Sequence, residues 1–452
     1  MNTNDFRVTT FASGLDFPLG MARLADDSLL VTISQGANYF SSTGKLVRLT
    51  DTDLNGVADG AGTVLYSNLP GTLTALRVVD HLVFVLGRPF PITILRSGTQ
   101  PSSPLTLVGQ VGIKYTGSRM HAASALGLRR TPGYTNRYDV LFQLGAEYNF
   151  AVTTNTLALT NSNVPGAQGV LNGDAIHMLT FIDNGTSVTA TNLTQIASGV
   201  RNPAGFAFHP ATGDLYFQDN GIDGLIDANE PLSVDELNVI ARTNIGGPIE
   251  FFGFPTNYTL YRTNTFIGGA GVPPLIAFEP TPNPFTGRES EGANDITFAP
   301  PGFPAGFNTG IFLGFHGKYS NGGTANEENP VVYADPATGD YFHFILGQQP
   351  GIGHLDGLLA TRDSLFVADL VSTGNPNSGA GAGVIYQIKS LVPPIPPSVT
   401  ARRVGAQIEL QWARGALQSA DDSDGVWSDV ADAFSPLLIT PGGQRKFFRA
   451  HY

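Results

Sequence analysis

Cysteine is absent from the 452 residues of this chain. Disulfide bonds, thiolate catalysis, zinc–thiolate sites and iron–sulfur clusters are therefore excluded. Charged residues make up only 14% of the chain, and no apolar run approaches the roughly 20 residues that a membrane-spanning helix needs. The eight histidines form no HxH or HxxxH pair, so the sequence does not predict a histidine-rich metal site.

Signatures of several common enzyme classes are also missing. The chain has no Gly-x-Ser-x-Gly motif, which disfavours a serine hydrolase of that type. It has no Walker motif and no dinucleotide-binding fingerprint. The first residues, Met1-Asn2-Thr3-Asn4, lack the basic start and apolar stretch of a signal peptide.

The composition is that of a folded protein with an acidic surface. Hydrophobic residues make up 42% of the chain, enough for a sizeable core. The net charge is −12, which argues against a nucleic-acid partner or an anionic membrane surface. An acidic protein can hold cations, but acidity alone does not identify a site for them.

Short strands with turn signals between them dominate the chain, so the predicted fold class is all-β. One unit recurs six times: a polar turn leads into a short apolar strand, and a second apolar strand with a small residue precedes most copies. Irregular gaps separate the copies, and the longest gaps precede the fourth and fifth. The copies are Asp26–Ser34, Asp80–Gly87, Arg137–Gly145, Gly213–Gly221, Asn308–Gly317 and Arg362–Leu370.

Six paired-strand units predict a six-bladed β-propeller over residues 1–390, with added loops on blades three to five. A large β-sandwich is the alternative. Residues 391–397, Leu-Val-Pro-Pro-Ile-Pro-Pro, predict a stiff linker. Residues 398–452 alternate in hydrophobicity and predict a small β-sandwich-like module, which we expect to lean on the propeller because a unit of this size is marginal alone.

The sharpest local pattern is Asp51-Thr-Asp53-Leu-Asn55-Gly56-Val57-Ala-Asp59. Oxygen ligands at its first, third and fifth positions, with glycine at the sixth, match the first part of a calcium-binding loop of the EF-hand type. The carbonyl of Val57 and the side chain of Asp59 complete the predicted set. The glutamate of position twelve is missing, because that residue is Gly62. A polar Asx-rich turn without a metal is the alternative.

Two other sets of polar residues are weaker candidates. The segment 219–230 and the pair Asp235-Glu236 hold many carboxylate and amide oxygens, which fits either a cation site or a solvated loop. His121, His316 and His354 lie at expected strand ends, where propellers gather ligand sites around their central channel. A lone histidine is more often structural, so each of them has that second interpretation.

A longer stretch connects these features to a known family. Residues 199–215 read GVRNPAGFAFHPATGDL, followed by Asp219-Asn220-Gly221 and Asp235-Glu236-Leu-Asn238-Val-Ile240. This stretch resembles the soluble glucose/sorbosone dehydrogenase family, which are six-bladed propellers that use pyrroloquinoline quinone (PQQ) and calcium. Shorter echoes at His121, at 312–318 and at 356–369 extend the resemblance over residues 10 to 390.

The resemblance implies roles for particular residues. His121 would be the general base that takes the proton of a substrate hydroxyl, while hydride passes to the quinone. Arg201 and Asn202 would contact the quinone, with Arg201 also catalytic. The remaining expected cofactor contacts are Asn220, Gly221, Ile222, Lys318 and His354. The carbonyls of Gly221 and Ile222 would ligate calcium, and Asp235 and Glu236 would support their loop or hold a second calcium.

The family resemblance also implies an exported protein, so we expect a periplasmic or secreted bacterial protein whose signal is absent from this chain. Its partners would be a small sugar or alcohol and an electron acceptor. Glucose-oxidising members place arginines before the last blade, whereas this chain has Gly351-Ile-Gly-His354 there. A non-catalytic, calcium-stabilised propeller that binds a glycan or protein therefore remains an alternative, with a calcium-dependent lactonase as a weaker one.

Overall fold

A computed structural model of the chain describes residues 2–89, 91–116, 119–225, 230–279, 292–326, 328–442 and 445–452. Within these ranges the regular structure is all β, apart from single helical turns at Thr3–Asp5 and Gly323–Ala325. No helix in the described ranges has the length and hydropathy to span a membrane. The predicted all-β class is confirmed.

Residues 6–390 form strands in the following order. They are β1 (Phe6–Leu15), β2 (Met21–Arg23), β3 (Leu29–Ser34), β4 (Thr43–Leu49), β5 (Thr63–Pro70), β6 (Thr72–Val79), β7 (Leu82–Arg88), β8 (Ile92–Arg96), β9 (Thr106–Lys114), β10 (Leu126–Arg130), β11 (Arg137–Leu144), β12 (Thr156–Ser162), β13 (Val170–Asn172), β14 (Ala175–Asp183), β15 (Val188–Ser198), β16 (Pro203–Phe208), β17 (Leu215–Asp219), β18 (Glu236–Ile240), β19 (Glu250–Phe251), β20 (Tyr258–Thr259), β21 (Phe266–Ile267), β22 (Ile276–Ala277), β23 (Ala293–Phe298), β24 (Ile311–Phe315), β25 (Val331–Ala334), β26 (Tyr341–Ile345), β27 (Gly357–Ala360), β28 (Ser364–Asp369) and β29 (Gly383–Ser390).

In the described part of the chain, these strands form six sheets of four or more strands and one small hairpin, β20–β21. The sheets are β2-β3-β4-β5, β6-β7-β8-β9-β12-β13, β10-β11-β14-β15-β19, β16-β17-β18-β22, β23-β24-β25-β26 and β27-β28-β29-β1. The first strand of each sheet contacts the first strand of the next, and β27 contacts β2, which closes a ring. Since β1 pairs with β29, the two ends of this region meet in one sheet. The architecture is a β-propeller, as predicted.

Each of the six predicted repeats contains the second strand of one sheet, and the apolar strand before it is the first. The small residue of the first strand allows close approach of the neighbouring sheet. At Gly205 (φ +57°), a Cβ atom would lie 2.8 Å from the Ile296 amide nitrogen, and at Gly357 it would lie 2.1 Å from the Leu19 carbonyl oxygen. A larger side chain at either position would push the sheets apart.

The added segments fall after the third and fourth predicted repeats, and one of them is built differently from the expected loop. Strands β12 and β13 lie between β11 and β14 in sequence, but they extend the neighbouring sheet through pairing with β9. Residues 241–275, between β18 and β22, form β19, which pairs with β15 of the preceding sheet, and the β20–β21 hairpin.

The strand register gives the ring two distinct ends. The first strand of each sheet begins beside the end of the second, as in the pairs Pro203–Asp219 and Gly357–Ala368. We call this end the upper rim and the opposite end the lower rim. Loops that precede a first strand or follow a second strand therefore meet at the upper rim.

The C-terminal residues form strands β30 (Thr400–Val404), β31 (Gln407–Gln411), β32 (Ala416–Ala420), β33 (Ser428–Asp429), β34 (Leu437–Ile439) and β35 (Phe447–His451). These strands make two three-stranded sheets, β30-β31-β34 and β33-β32-β35. Their core includes Leu410, Trp412 and Leu417, together with Ala211 from the turn between β16 and β17. The Ser435 amide also donates to the Ala211 carbonyl at 2.8 Å. The module thus packs against the propeller, while the domain boundaries of residues 1–390 and 398–452 stay a prediction.

Candidate functional site at the upper rim

Backbone hydrogen bonds bring His121 and Arg201 to the two sides of one strand end. The His121 amide donates to the Ala146 carbonyl at 3.1 Å, and the Ala146 amide donates to the Arg201 carbonyl at 2.7 Å. Gly145 lies between them, and a Cβ atom there would be 2.7 Å from both the His121 Cβ and the Arg201 carbonyl oxygen. Glycine is therefore required for this approach.

The His121 side chain has an orphaned polar atom. Its Nε2 is buried and has no hydrogen-bond partner among the described residues. Burial, with the positive charges of Arg201 and Arg88, lowers the pKa of His121 to about 2. The imidazole is therefore neutral at physiological pH, so a ring nitrogen carries a lone pair that can accept a proton or a hydrogen bond.

Arg201 is 3% exposed, and the adjacent loops surround its guanidinium group. Nη2 donates to the Asn149 side-chain oxygen at 2.7 Å and pairs with the Asp223 carboxylate at 2.8 Å. Nε donates to the Asn149 carbonyl at 3.2 Å. Burial lowers the pKa of Arg201, with Asp223 and Asp219 opposing the change. A buried charge of this kind is stable only with such partners.

The loop from Arg201 to Asn202 is fixed by a carboxylate at the end of the neighbouring strand. Asp219 accepts the Arg201 amide at 2.9 Å and the Asn202 amide at 2.7 Å. The Asn220 side chain donates to the carbonyls of Asn202 and Ala293. The predicted residues Arg201, Asn202 and Asn220 therefore lie together at the upper rim.

Asp235 organises the next part of the site. One of its oxygens accepts the Gly221 amide at 2.7 Å, and the other accepts the amides of Gly292 and Ala293 at 2.8 and 3.1 Å. Burial raises the pKa of Asp235, although these hydrogen bonds and Arg201 oppose the rise. Both oxygens are engaged with backbone amides, which favours the supporting role that the sequence predicted as one of two alternatives.

Ile222 is tied to the same loop in a different way. Its amide donates to the Ser233 hydroxyl at 2.7 Å, and its carbonyl accepts the Leu232 amide at 2.7 Å. Gly221 packs so closely on this turn that a Cβ atom would lie 2.2 Å from the Ser233 carbonyl oxygen. The Gly221–Ile222 turn is therefore rigid, as a backbone ligand site requires.

A small cavity lies beside Glu236, Asp219 and Gly221, with a volume of about 20 Å³. This space suits one water-sized atom. Glu236 pairs with Asp219 across β17 and β18. Burial raises the pKa of Glu236 to about 8, with Asp219 adding to the rise, and burial raises the pKa of Asp219 to about 7. The cavity thus has two carboxyl groups for which burial makes charge costly, with Arg201 as the cation that lines the same space.

His316, one of the weaker sequence candidates, lies at the same rim and pairs with Asp356, a pairing that the sequence did not predict. His316 Nδ1 lies 2.9 and 3.0 Å from the two Asp356 oxygens, and Asn294 donates to Asp356 at 2.6 Å. His316 also stacks on His354 at 3.8 Å between ring centroids. Burial alone would raise the pKa of Asp356, but His316, His354 and Asn294 together outweigh it, so the net shift is downward. A carboxylate that orients a histidine is a common arrangement in acid–base sites.

The predicted cofactor residues Lys318 and His354 lie in the segments next to this pair. Lys318 is buried, and its amide donates to the Asn326 side chain at 2.8 Å. The two ring nitrogens of His354 lie 2.7 and 2.8 Å from the carbonyls of His316 and Gly374. Burial, with His316, lowers the pKa of His354. These contacts hold the His354 ring in place between two backbone segments, and its cofactor role stays a prediction.

The predicted calcium loop lies at the lower rim, away from these residues. Leu49 pairs with Leu29 at the lower end of β3, and the loop follows directly. Asp51 accepts the amides of Asn55 and Gly56, and Asp53 accepts the Asn55 amide and side-chain amide. Asn55 in turn accepts the Val57 amide, and Asp59 accepts the Thr52 amide.

The described residues contain no group of three His, Asp or Glu side chains placed to hold a metal. The calcium loop therefore stays a prediction, as does calcium at Gly221, Ile222, Asp235 and Glu236. Positions 227 and 229 of the predicted acidic segment lie outside the described residues. The upper rim thus unites His121, Arg201, Asn202, the 220–222 turn, Asp235, Glu236, Lys318 and His354, and leaves Asp51–Asp59 apart.

Comparison with known proteins adds evidence on the fold. No protein-family model matches the chain. An uncharacterised protein of Borreliella burgdorferi is 32% identical over 148 residues, which are 30% of this chain and 32% of that protein. The match spans about a third of that relative's length, which is too little to establish a family.

Similar solved structures cover most of the propeller. The calcium structure of a Trichoderma reesei carbohydrate-active enzyme of family AA12 has a TM-score of 0.53 at 14% identity, over 86% of this chain and 96% of that one. The PQQ-bound aldose sugar dehydrogenase of Streptomyces coelicolor has a TM-score of 0.51 at 17% identity, over 85% and 98%. The holo PQQ domain of Coprinopsis cinerea pyranose dehydrogenase has a TM-score of 0.50 at 15% identity, over 85% and 96%. The chain therefore shares the fold of PQQ-dependent sugar dehydrogenases.

Proposed function

We propose that the protein is a PQQ- and calcium-dependent dehydrogenase that oxidises a hydroxyl group of a small sugar or alcohol. The observation that carries the proposal is the meeting of His121, Arg201 and the 219–222 turn at one rim of this fold. His121 is far in sequence from the other two elements, which belong to one hairpin, and hydrogen bonds through Ala146 and Asp219 hold the three together.

His121 is the proposed base that takes the proton of the substrate hydroxyl. Its buried Nε2 lacks a hydrogen-bond partner among the described residues. Buried polar atoms are nearly always paired, so this atom is available to a ligand. Burial, with Arg201 and Arg88, keeps the imidazole neutral by lowering its pKa, so the base is in its proton-accepting form at every physiological pH. A very low pKa also makes it a weak base, so proton removal must be coupled to loss of the hydride.

The residues at the upper rim fit a quinone with acidic groups because they include several cations. The upper rim has Arg201 and Lys318 as buried cations, and Arg88 is close enough to lower the pKa of His121. Guanidinium groups suit planar carboxylates and quinone oxygens. When bound, PQQ supplies the redox chemistry by accepting the hydride. Arg201 must then exchange its contacts with Asp223 and Asn149 for contacts with the ligand.

Calcium is the proposed occupant of the small cavity beside Gly221, Asp219 and Glu236. The cavity volume of about 20 Å³ suits a single ion. Carboxylate and carbonyl oxygens are the ligands that calcium prefers. On the rigid Gly221–Ile222 turn, the Gly221 carbonyl would be the backbone ligand, because the Ile222 carbonyl already accepts the amides of Leu232 and Ser233.

The experiment is reconstitution of the purified protein with PQQ and Ca²⁺, followed by dye-linked oxidation of a panel of aldoses and polyols. We expect activity that requires both additions and that falls at least 100-fold in His121→Ala. His316→Ala tests whether the His316–Asp356 pair is the base instead. His343→Ala, on the outer strand β26, is the matched control that should retain activity.

Quinone binding is measured separately by absorbance and calorimetry. Absence of PQQ binding to the folded protein would refute the proposal, whatever the substrates tried. Full activity in His121→Ala with loss in His316→Ala would transfer the role of base to His316. Binding of PQQ without oxidation of any sugar or alcohol would refute the substrate class.

A second candidate is a non-catalytic propeller that binds a glycan or protein. The closed contacts of Arg201 with Asn149 and Asp223 favour it, together with the lack of arginine in residues 351–356. This function predicts that EDTA lowers the melting temperature but that no PQQ-dependent turnover exists. It also predicts ligand binding that survives His121→Ala.

A further inference from the structure

A large cavity lies at the lower rim, between the propeller and the C-terminal module. Its volume is about 570 Å³, which is in the range of cavities that hold small organic ligands. The ends of four first strands, β2, β16, β23 and β27, line one side, and residues 413–416 of the module line the other. We call this cavity the module cleft.

The charge of the module cleft is opposite to that of the whole protein. Arg23, Arg362 and Arg414 line it, and its lining includes no aspartate or glutamate, although Arg23 also pairs with the exposed Asp27 next to it. The chain as a whole has 37 acidic and 25 basic residues. Both Arg362 and Arg414 are near enough to the Tyr452 hydroxyl to lower its pKa, although burial raises that pKa overall. An acidic protein has thus concentrated guanidinium groups in one cleft, which favours an anionic ligand.

Two donors of the module cleft lack acceptors. Asn308 is 5% exposed, and its side-chain nitrogen has no partner among the described residues. Nη1 of Arg414 is also buried without a partner there. Buried donors are nearly always satisfied, because each one left unpaired costs about 1–3 kcal/mol. Both groups are hydrogen-bond donors, so the missing partner is an acceptor.

The remaining walls of the module cleft are aromatic and weakly polar. Phe208 and Phe298 lie on the propeller side, and His209 stacks edge-on against Phe298 at 4.8 Å. His209 Nδ1 accepts the amides of Ala211 and Thr212, so Nε2 carries the ring proton and is a further donor. Rings beside donors suit a ligand that has both carbon–hydrogen faces and oxygen acceptors, as a sugar acid has.

We propose that the module cleft binds an organic carboxylate of mono- or disaccharide size, with its carboxylate between Arg414 and Asn308. The guanidinium of Arg362 adds attraction at the mouth of the cleft, where it is exposed. This site is at the opposite rim from His121 and Arg201, so it does not depend on any activity at the upper rim.

The test is isothermal titration calorimetry of the full chain with D-glucuronate and with D-galacturonate. We expect saturable binding that weakens as the salt concentration rises, because an ion pair contributes to it. Arg414→Gln and Asn308→Ala should each weaken binding at least tenfold. Arg362→Gln, at an exposed position where folding is not at risk, should weaken it less but measurably.

Two controls make the result specific. Arg403→Gln removes an exposed arginine of the module that does not line the cleft, and it should bind as the unchanged protein does. D-Glucose has the shape of the sugar without the carboxylate and should bind at least tenfold more weakly than D-glucuronate. Equal losses in Arg414→Gln and Arg403→Gln, or equal binding of D-glucose, would overturn the proposal.

Inorganic phosphate is titrated as a third probe. If phosphate saturates the module cleft while neither uronate binds, the site is one for inorganic anions and the organic assignment is wrong. If none of the three anions binds, the unpaired donors are satisfied by water and the proposal fails. Weak phosphate binding that D-glucuronate displaces supports the proposal.

Discussion

Asp183 joins two neighbouring sheets of the propeller and offers a pH test of how the ring is held together. It ends β14, while Arg96 ends β8 of the adjacent sheet. The guanidinium of Arg96 binds the carboxylate through two nitrogens at 2.5 and 3.0 Å. The Gly185 amide and His81 Nε2 lie 2.8 and 2.7 Å from the same carboxylate. We predict that Asp183→Asn destabilises the protein in a pH-dependent way.

The magnitude follows from the pKa of this group. Burial alone would raise the pKa of Asp183, but the hydrogen bonds of Arg96, Gly185 and His81, with the charge of Arg96, together outweigh it and lower the pKa from 3.8 to about 2. One unit corresponds to about 1.4 kcal/mol, which bounds the contribution at roughly 2.5 kcal/mol. Since the His81 side chain is half exposed, solvent screening reduces the expected value to about 1–2 kcal/mol.

The direction of the pH effect is fixed by the sign of the shift. A carboxyl whose folded pKa is depressed stabilises the protein above its unfolded pKa, and this stabilisation is lost as the pH falls through the folded pKa. The difference in unfolding free energy between the two proteins should therefore be greatest above pH 5 and shrink between pH 4 and pH 2. At the acid end, a protonated aspartate resembles asparagine.

The assay is urea-induced unfolding of both proteins from pH 7 down to the lowest pH at which both fold. Asp27→Asn is the control, because its ion pair with Arg23 is exposed and should change stability by less than about 0.5 kcal/mol. A difference for Asp183→Asn that stays constant from pH 7 to pH 2 would show that the loss comes from packing and would refute the linkage argument.

Two further predictions concern the ends of the ring. In Asp235→Asn, a side-chain NH2 group replaces one carboxylate oxygen, so at least one of the three backbone amides that Asp235 binds faces a donor instead of an acceptor. Denaturation at pH 7 should therefore show that the free energy of unfolding falls by about 2–5 kcal/mol. A change near zero would mean that water replaces the missing acceptor. In the loop 51–59, Ca²⁺ should raise the melting temperature by a few degrees through linkage, and Asp53→Asn should abolish that rise. An equal rise in both proteins would place the stabilising ion elsewhere.

The strand pairs could be predicted because each depends on local pattern alone. An apolar strand with a small residue, a polar turn and a second apolar strand specify one antiparallel pair, and the six pairs recur at the six inner positions of the ring. The 199–240 stretch likewise gave the grouping of Arg201, Asn202 and Asp219, since β16, β17 and β18 are consecutive and pair directly. The sequence was therefore sufficient to predict those parts of the site that come from consecutive, directly paired strands.

Contacts between sheets could not be predicted in this way. His316 and Asp356 are 40 positions apart in the sequence and meet only because β24 and β27 are packed side by side. The one available signal was that His316 ends a second strand while Asp356 precedes a first strand, which places both at the upper rim. Similarly, β12 pairs with β9 in the preceding sheet, and no period in the sequence marks this exchange.

The two ends of the ring hold different kinds of site because the chain connects them differently. At the upper rim, the long segment 220–235 joins β17 to β18, and the carboxylate of Asp235 within it is enclosed by backbone amides. At the lower rim the ring's own turns include short ones such as 24–28 and 361–363. Arg23 and Arg362 of the module cleft lie on neighbouring sheets of the ring, and Arg414 joins them because the module docks at Ala211. The electrostatics of the upper rim therefore depend on contacts within and between the sheets of the ring, whereas those of the lower rim also depend on the docking of a second unit.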